Sequence, residues 1–308
     1  MPKALIFGAC GFVGPWLAKE MEWNGWEVAC SDRVVTARDG LPKEYYQADL
    51  LDAARVHEVV DQASPDAVVN LAAVSSVGQS WRIPSATIQV NVVGSLNVLE
   101  AAKALGTCPK VLLVGSSEEY APSDAPLSEE SPLAGNNPYG ISKATVGEFA
   151  RLYETSGDVR VYRTRSFNHT GVGQAPTFVI PSWCGQVAAF EREHRDGVMR
   201  VGNLSVERDI SDVRDIVRGY RTLIESDWSG EVFNFGSGVA TPLKDILDTV
   251  IGFSSQEISY EVDSALIRPT DQSRIQADIS KAKRDLGWTP EITLVQTLND
   301  VYEGCMHK

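Results

Sequence analysis

Along the first half of the chain, short uninterrupted apolar runs alternate with longer stretches in which apolar residues recur every three or four positions. The runs Ala4–Phe7, Glu27–Ser31, Ala67–Leu71, Val111–Val114 and Val159–Tyr162 are continuous rather than alternating, as strands buried on both faces are. Helices are predicted between them, near 12–23, 52–62, 85–105 and 139–156, and Pro84 and Pro138 stand near two of the starts, where a missing backbone N–H costs little. Strands alternating with helices predict an α/β fold with a doubly wound parallel sheet.

Beyond about residue 170 the elements shorten, with a late β run at Glu257–Val262. The run Glu231–Phe235, closed by Gly236, again reads as a buried strand, so the chain is expected to return to its first domain before finishing in a second. The expected division is 1–170 plus about 208–238 for the larger domain, and about 171–207 with 239–308 for a smaller C-terminal α/β domain that takes the substrate.

Composition narrows the function. With 308 residues, 43% hydrophobic and 22% charged, and no internal repeat, the chain is an ordinary globular protein able to bury a large core. A net charge of −13 opposes nucleic acid and anionic membranes, so any nucleotide ligand needs local arginines. Met1–Phe7 runs straight into a strand, and no apolar stretch approaches the roughly 20 residues of a membrane span, so a soluble, cytoplasmic protein is expected. Five dispersed cysteines without a C-x-x-C pair suggest neither a disulfide framework nor a metal site; Cys10 reads as a small filler or, less simply, a reactive thiol.

Gly8, Gly11 and Gly14 follow the first strand directly and open the first helix. Glycines there let a pyrophosphate approach the helix N-terminus, whose unpaired N–H groups and dipole favour anions. Phe12 and Val13 complete this candidate cofactor cradle, which marks a Rossmann sheet. Asp32 ends the second strand, where a carboxylate accepts both hydroxyls of the adenosine ribose, so NAD(H) is favoured. Arg33 next to it keeps NADP(H) as the alternative. Asp49 and Leu50 after the third strand, and Leu71, Ala72 and Ala73 after the fourth, either flank the cofactor or serve as loop and packing.

Tyr139 and Lys143 are four apart on a predicted helix and share a face. A free tyrosine is about 0.1% ionised at neutral pH, and a nearby ammonium is expected to lower its pKa. The pair follows a strand ending in Gly115, Ser116, Ser117, Glu118, Glu119 and Tyr120, so Ser116 can hold a substrate oxygen while Tyr139 exchanges a proton with it. Glu118 has two readings: an acid that protonates a leaving hydroxyl, as a dehydratase needs, or a solvated carboxylate beside Glu119.

Together these residues resemble the extended short-chain dehydrogenase/reductase family over essentially the whole chain. Ser75, Ser76 and Val77 with Ser80 and Trp81, then Asn91-Val92-Val93-Gly94, resemble its branch of GDP-mannose 4,6-dehydratases and GDP-4-keto-6-deoxy-D-mannose reductases. So do Phe167-Asn168-His169, Gly202-Asn203-Leu204, Arg208-Asp209, Asp212-Val213-Arg214-Asp215 and Arg268-Pro269. The run Asn168-His169-Thr170-Gly171-Val172-Gly173-Gln174 is closer to the reductase, although Val172 stands where proline is usual.

The resemblance implies catalysis by Ser116, Tyr139 and Lys143 and substrate contacts from Ser75, Ser76, Asn168, Val179, Asn203, Arg208, Arg268 and Asp271, the last in place of a usual glutamate. Fixed guanidiniums in so acidic a chain also suit a pyrophosphate, or else pair with surface acids. His169 reads as a packing residue or an acid. Many members of the branch use NADP, whereas the charge of Asp32 favours NAD.

The expected activity is NAD(P)H-dependent reduction of the C4 ketone of a GDP-4-keto-6-deoxy-hexose, giving a GDP-6-deoxyhexose such as GDP-rhamnose. A 4,6-dehydratase or epimerase with the same triad is the enzymatic alternative, and a dinucleotide-sensing binding protein the non-enzymatic one. The resemblance further implies a homodimer through the helices near 85–105 and 139–156.

Overall fold

The computed structural model describes residues 1–267 and 272–307, so the candidates Arg268 and Asp271 lie outside the described residues. The first half contains β1 (Lys3–Phe7), α1 (Gly14–Trp23), β2 (Glu27–Asp32), β3 (Tyr45–Gln47), α2 (Ala53–Ala63), β4 (Ala67–Asn70), α3 (Val77–Arg82), α4 (Pro84–Ile88), α5 (Gly94–Ala104), β5 (Lys110–Ser116), α6 (Pro138–Ser156) and β6 (Arg160–Ser166). Then come β7 (Asn168–Thr170), α7 (Val179–Arg192), β8 (Gly197–Val201), β9 (Glu207–Asp212), α8 (Val213–Glu225) and β10 (Val232–Phe235). The chain ends with β11 (Ala240–Pro242), α9 (Leu243–Ile251), β12 (Ile258–Val262), β13 (Arg274–Ile275), α10 (Ser280–Leu286) and α11 (Leu294–Met306).

Seven strands form one parallel sheet in the order β10-β6-β5-β4-β1-β2-β3. The continuous apolar runs follow from coverage of both faces. Ala4 and Ile6 of β1 pack with Leu17 and Met21 of α1 and with Ile216 and Tyr220 of α8. Leu5 and Phe7, pointing the other way, pack with Val56 and Val59 of α2, Val98 and Leu99 of α5 and Val146 of α6. Each fully buried side chain of this kind is worth about 1.5–3 kcal/mol. The strand order reverses between β1 and β4, which opens a crevice at their C-terminal ends.

The return of the chain at β10 is observed, paired in parallel with β6. Two residues from still later in the chain, Ala282 and Trp288, also join the core on the α1 and α8 side. The Trp288 ring meets Phe235 edge-on at 4.8 Å, and its Nε1 donates to the Asp215 carbonyl at 3.0 Å. Away from the large sheet, β7, β9, β11 and β13 make a four-stranded sheet and β8 pairs with β12. A separate core there draws Trp183 and Val187 from α7, Ile246 and Leu247 from α9, and Leu298 and Val301 from α11.

The single helix expected over 85–105 is interrupted. Gln89–Val93 form a π-type turn between α4 and α5. Buried Asn91 in that turn accepts from the Val74 N–H at 2.8 Å and donates to the Ser142 hydroxyl at 2.8 Å. The wider turn thus joins the segment after β4 to α6, the kind of inserted side chain for which such bulges serve. The five cysteines are all free. Among the described residues, no helix is long and apolar enough to cross a membrane.

Candidate active site

After β1, the N–H groups of Gly8 and Ala9 both donate to the Ser31 carbonyl, at 2.9 and 3.1 Å, which turns the chain over the end of β2. Gly8 has φ +77°, and a Cβ there would lie 2.5 Å from the Ala72 nitrogen. At Gly14 it would lie 2.1 Å from the Ala9 carbonyl oxygen, so side chains are excluded at both positions; at Gly11 the approach, 3.1 Å to the Gly8 oxygen, is looser. Val13 precedes α1, and no side chain caps the first turn of that helix. A backbone cradle this close, ending in uncapped N–H groups, fits a dinucleotide pyrophosphate.

Asp32 stands beside this cradle, its Oδ2 accepting the Cys10 N–H at 3.0 Å. Arg33 is exposed, while Arg38 donates to the Gly11 carbonyl at 3.3 Å. Phe12 stacks on His169 with ring centroids 6.3 Å apart. Burial holds that imidazole below its usual pKa, so it is neutral at neutral pH, and its Nδ1 lies 3.0 Å from the Phe167 carbonyl. Its surroundings are those of a packing residue.

The pair after β3 separates. Leu50 is buried in the core, its carbonyl accepting Asn97 Nδ2 at 2.7 Å, while Asp49 is exposed and accepts the Leu51 N–H at 2.9 Å. The structure therefore gives the Leu50 side chain to packing. Leu71, Ala72 and Ala73 are partly buried where β4 meets the glycine turn, the Leu71 N–H donating to the Phe7 carbonyl at 3.0 Å.

Ser116, Glu118, Tyr139 and Lys143 come together at the C-terminal end of β5. Ser116 caps a short 3₁₀ turn, its Oγ accepting the Glu118 N–H at 3.2 Å, and the Ser116 side chain is the neighbour that favours ionisation of the Tyr139 phenol. Asn137 caps α6 by accepting the Gly140 N–H at 2.9 Å, and its Nδ2 donates to Glu118 Oε2 at 2.7 Å. A Cβ on Gly140 would lie 2.0 Å from the Glu118 carbonyl oxygen, a measure of how closely α6 approaches the 3₁₀ turn. One turn beyond Tyr139, Lys143 donates to the Val114 carbonyl at 2.7 Å, with its Nζ 5.9 Å from the Tyr139 ring centre.

The electrostatics of this cluster overturn one expectation. The Tyr139 pKa is raised rather than lowered: burial disfavours the phenolate most, Glu118, Glu119 and Tyr220 add to it, and only the Ser116 hydrogen bond opposes. Tyr139 is a neutral acid at neutral pH. Burial also pulls Lys143 down to about 8, against the attraction of Glu119.

The substrate candidates are more dispersed. Ser75 is exposed and Ser76 caps α3, accepting the Gln79 N–H at 3.2 Å. Val179 is exposed at the start of α7, and Asn203 Oδ1 is bonded within its own turn by the Ser205 N–H and hydroxyl. Asn168 is exposed on β7, which runs parallel to β9 with Asn168 opposite Ile210, two residues from Arg208. Half-buried Arg208 donates to the carbonyls of Glu207 and Gln272, both at 2.8 Å, rather than standing as a loose surface charge.

Several site neighbours escaped the sequence reading, namely Asn137, Glu119, Arg165 and Arg38. Asn137 was findable, because asparagine directly before a helix-opening proline is an N-cap signal. A charged residue inside the β6 run, as Arg165 is, signals a buried partner without naming it.

A parallel sheet reversing at β1 and β4, a glycine turn at the reversal, and a serine, tyrosine and lysine gathered beside it define an enzyme of the short-chain dehydrogenase/reductase type. The model of the GDP-mannose 4,6 dehydratase family matches residues 5–301, and the chain belongs to that family. It is 32% identical over 240 residues to the GDP-6-deoxy-D-mannose reductase of Pseudomonas aeruginosa, covering 77% of this chain and 79% of that protein. To the GDP-mannose 4,6-dehydratase of Vibrio cholerae it is 27% identical over 344 residues, covering 97% and 92%. Among solved structures, RMD from Pseudomonas aeruginosa complexed with NADPH superposes with a TM-score of 0.89 at 28% identity, covering 100% of this chain and 99% of that one.

Proposed function

We propose that this protein reduces the C4 ketone of a GDP-4-keto-6-deoxy-hexose to the carbinol, giving a GDP-6-deoxyhexose such as GDP-rhamnose. The observation that carries this reading is the placement of a buried Tyr139 beside Ser116, Glu118 and Glu119, surroundings in which burial and the two carboxylates disfavour its phenolate. Reduction needs an acid at the substrate oxygen, whereas an epimerase or dehydratase cycle begins with a base. The reductase name of the relative at 32% identity points the same way.

Gly8, Gly11, Phe12, Val13 and Gly14 would hold the pyrophosphate of a nicotinamide dinucleotide, which when bound in its reduced form would supply the hydride. Ser116 holds the C4 oxygen, and Tyr139 passes its phenolic proton to that oxygen as the carbonyl becomes an alcohol. The proton is restored from solvent. Lys143 would hold the nicotinamide ribose and, as an ammonium, stabilises the transient phenolate. Leu71, Ala72 and Ala73 wall the cofactor crevice, with Asp49 at its adenine end. Asp32 favours NAD(H), and Arg33 and Arg38 next to the glycine turn keep NADP(H) as the second carrier. Asn168, Val179, Asn203 and Arg208 of the smaller domain, with Ser75 and Ser76, receive the GDP-sugar.

A second reading, 4,6-dehydratase, is favoured by Glu118, whose carboxylate is held by Asn137 inside the site. The experiment supplies GDP-mannose or the 4-keto-6-deoxy sugar with NADH or NADPH and follows the reduced-nicotinamide absorbance together with the sugar product. Stoichiometric loss of reduced cofactor with the keto sugar is expected. A keto product from GDP-mannose without net cofactor change would establish the dehydratase instead. Tight cofactor binding without any turnover would leave a dinucleotide sensor.

We also infer a homodimer. Ile88 and Val93 between α4 and α5, and Ile141 and Leu152 on α6, are large apolar side chains exposed on the helices that the family uses for pairing.

A further inference from the structure

Directly beneath Ser116 lies a buried ion pair that the proposed chemistry does not employ. Glu119 turns its carboxylate back on its own 3₁₀ turn: Oε1 accepts the Ser116 N–H at 2.8 Å, and Oε2 accepts from Arg165 Nε at 3.0 Å. Both side chains are more than nine-tenths buried, at 5% and 8% exposure. Arg165, on the neighbouring strand opposite Gly115, also donates to the Tyr120 hydroxyl at 3.2 Å and to the Glu129 carbonyl at 3.0 Å. Tyr120 in turn donates to Asn234 Oδ1 at 2.6 Å.

Room for this carboxylate is made by Gly115, where a Cβ would lie 2.3 Å from Glu119 Oε1. Burying two charges is expensive, and a well-packed apolar pair would be at least as stable in most cores. The position of this pair is therefore better explained by what it adjoins than by stability.

We propose that Glu119, braced by Arg165, is a positioning residue of the active site, fixing the main chain of Ser116 and supplying the buried negative charge opposite Lys143. The inference rests on the proposed roles of Ser116 and Lys143. Burial pushes the Glu119 carboxyl above its usual pKa, and the groups that favour its ionised form are Arg165 from β6, the Ser116 N–H on its own turn and Lys143 from α6. Facing Tyr139 are Ser116, Glu118 and Glu119 from the β5 side and Tyr220 from α8. Glu119 holds the Ser116 N–H two residues along β5 from the Val114 carbonyl that Lys143 bonds, and of these carboxylates it is the one that acts on Lys143, whose pKa stands at about 8.

The sign follows. A lysine whose folded pKa is pulled down by burial is charged below that pKa and loses its charge as pH rises through it, and a carboxylate partner moves that loss to higher pH. Removing the charge of Glu119 therefore brings the loss to lower pH. Glu119 has two functions that separate by substitution. Glu119→Gln keeps an acceptor for the Ser116 N–H but removes the charge and the bond from Arg165, whereas Glu119→Asp keeps the charge and shortens the reach.

In Glu119→Gln the alkaline limb of kcat is expected to move down by on the order of 1 pH unit, read relative to the variant's own plateau on the acid side. In Glu119→Asp the limb is expected to stay, while kcat falls about tenfold at every pH with KM little changed, as a misplaced Ser116 requires. An unmoved limb in the first variant overturns the charge role, and wild-type kcat in the second overturns the positioning role. If the glutamine variant does not fold, the aspartate variant decides both roles: a limb that moves although the charge is kept overturns the charge role, and wild-type kcat overturns the positioning role.

A measurement independent of turnover keeps this inference apart from the proposed reaction. In the full-length protein labelled with ¹³C-lysine, the Lys143 side-chain resonance, assigned with Lys143→Arg, is titrated by NMR with and without Glu119→Gln. A titration at lower pH in the variant supports the counter-charge even if no nucleotide sugar is turned over. Superimposable titrations overturn it.

Discussion

Gly8→Ala, compared with Gly25→Ala, separates what the glycine turn owes to backbone conformation from what it owes to close approach. Both glycines have positive φ, +77° at Gly8 and +84° at Gly25, so alanine at either carries the left-handed penalty of about 1–2 kcal/mol. At Gly25 nothing lies within 4 Å of the added Cβ, and that penalty is the whole effect. At Gly8 the Cβ also meets the Ala72 nitrogen at 2.5 Å, the Ala72 Cα at 2.7 Å and the Leu71 carbonyl carbon at 2.9 Å. All three are backbone atoms at the end of a central strand, and none can swing away as a side chain would. Overpacking against such a wall costs about 1–3 kcal/mol, bringing Gly8→Ala to roughly 2–5 kcal/mol. At about 2 °C per kcal/mol for a chain of this size, Tm falls by about 2–4 °C in Gly25→Ala and about 4–10 °C in Gly8→Ala. Relief requires β1 and β4 to part at the crevice, so Gly8→Ala is expected to weaken NADH and NADPH binding at least about tenfold, or about 1.4 kcal/mol, while Gly25→Ala leaves it unchanged. Scanning calorimetry and titration of cofactor fluorescence measure the two effects. Equal losses of Tm together with a wild-type cofactor Kd in Gly8→Ala would refute the close-approach explanation.

Tyr139→Phe removes the proposed proton donor and leaves the Lys143 bond to Val114 intact, so kcat should fall about 10²–10⁴-fold with cofactor Kd nearly unchanged; steady-state turnover at the wild-type rate would exclude the acid role. Asp32→Asn preserves an acceptor for the Cys10 N–H and removes the charge facing a 2′-phosphate, so the NADPH to NADH affinity ratio should rise about tenfold by calorimetric titration, and an unchanged ratio would free Asp32 of any selecting role. If the proposed dimer forms, glutamate at both Ile141 and Leu152 should give a particle of half the wild-type mass in light scattering; a mass equal to a dimeric wild type would place the interface elsewhere, and a monomeric wild type would refute the dimer.

The parts of this molecule that sequence made legible are those in which one local pattern had one physical cause. Leu5 and Ile6 had to face opposite covered sides, so an uninterrupted apolar run announced a central parallel strand. Gly8 and Gly14 announced the cradle because no other residue fits their surroundings. The break at Gln89–Val93 was not legible: four of its five residues are glutamine and valines that sit in ordinary helices, and what opens the turn is Asn91 reaching Val74 and Ser142, contacts that exist only after the chain has folded. Leu50 was ambiguous for a similar reason, since a leucine after a strand serves a ligand or a core equally well until Gly94 packs against it.

The charge state of the candidate site lay further out of reach. Spacing of four on a helix shows that Tyr139 and Lys143 are neighbours, and from neighbours of that kind a lowered phenol pKa follows, provided the ammonium is the strongest influence. In the folded protein it is not. Lys143 is drawn to the Val114 carbonyl near the C-terminal end of β5, and Tyr139 is surrounded by burial, two carboxylates from the β5 side and a second phenol from α8. Glu119 enters that balance only because Gly115 leaves it room and Arg165 makes its burial tolerable. The same Tyr-x-x-x-Lys pair can therefore stand as a base or as an acid, depending on charges brought in from other elements. Here those charges keep the phenol protonated, the state in which a ketone is best met, and a bound cationic nicotinamide, by favouring the phenolate, would ease the reverse direction.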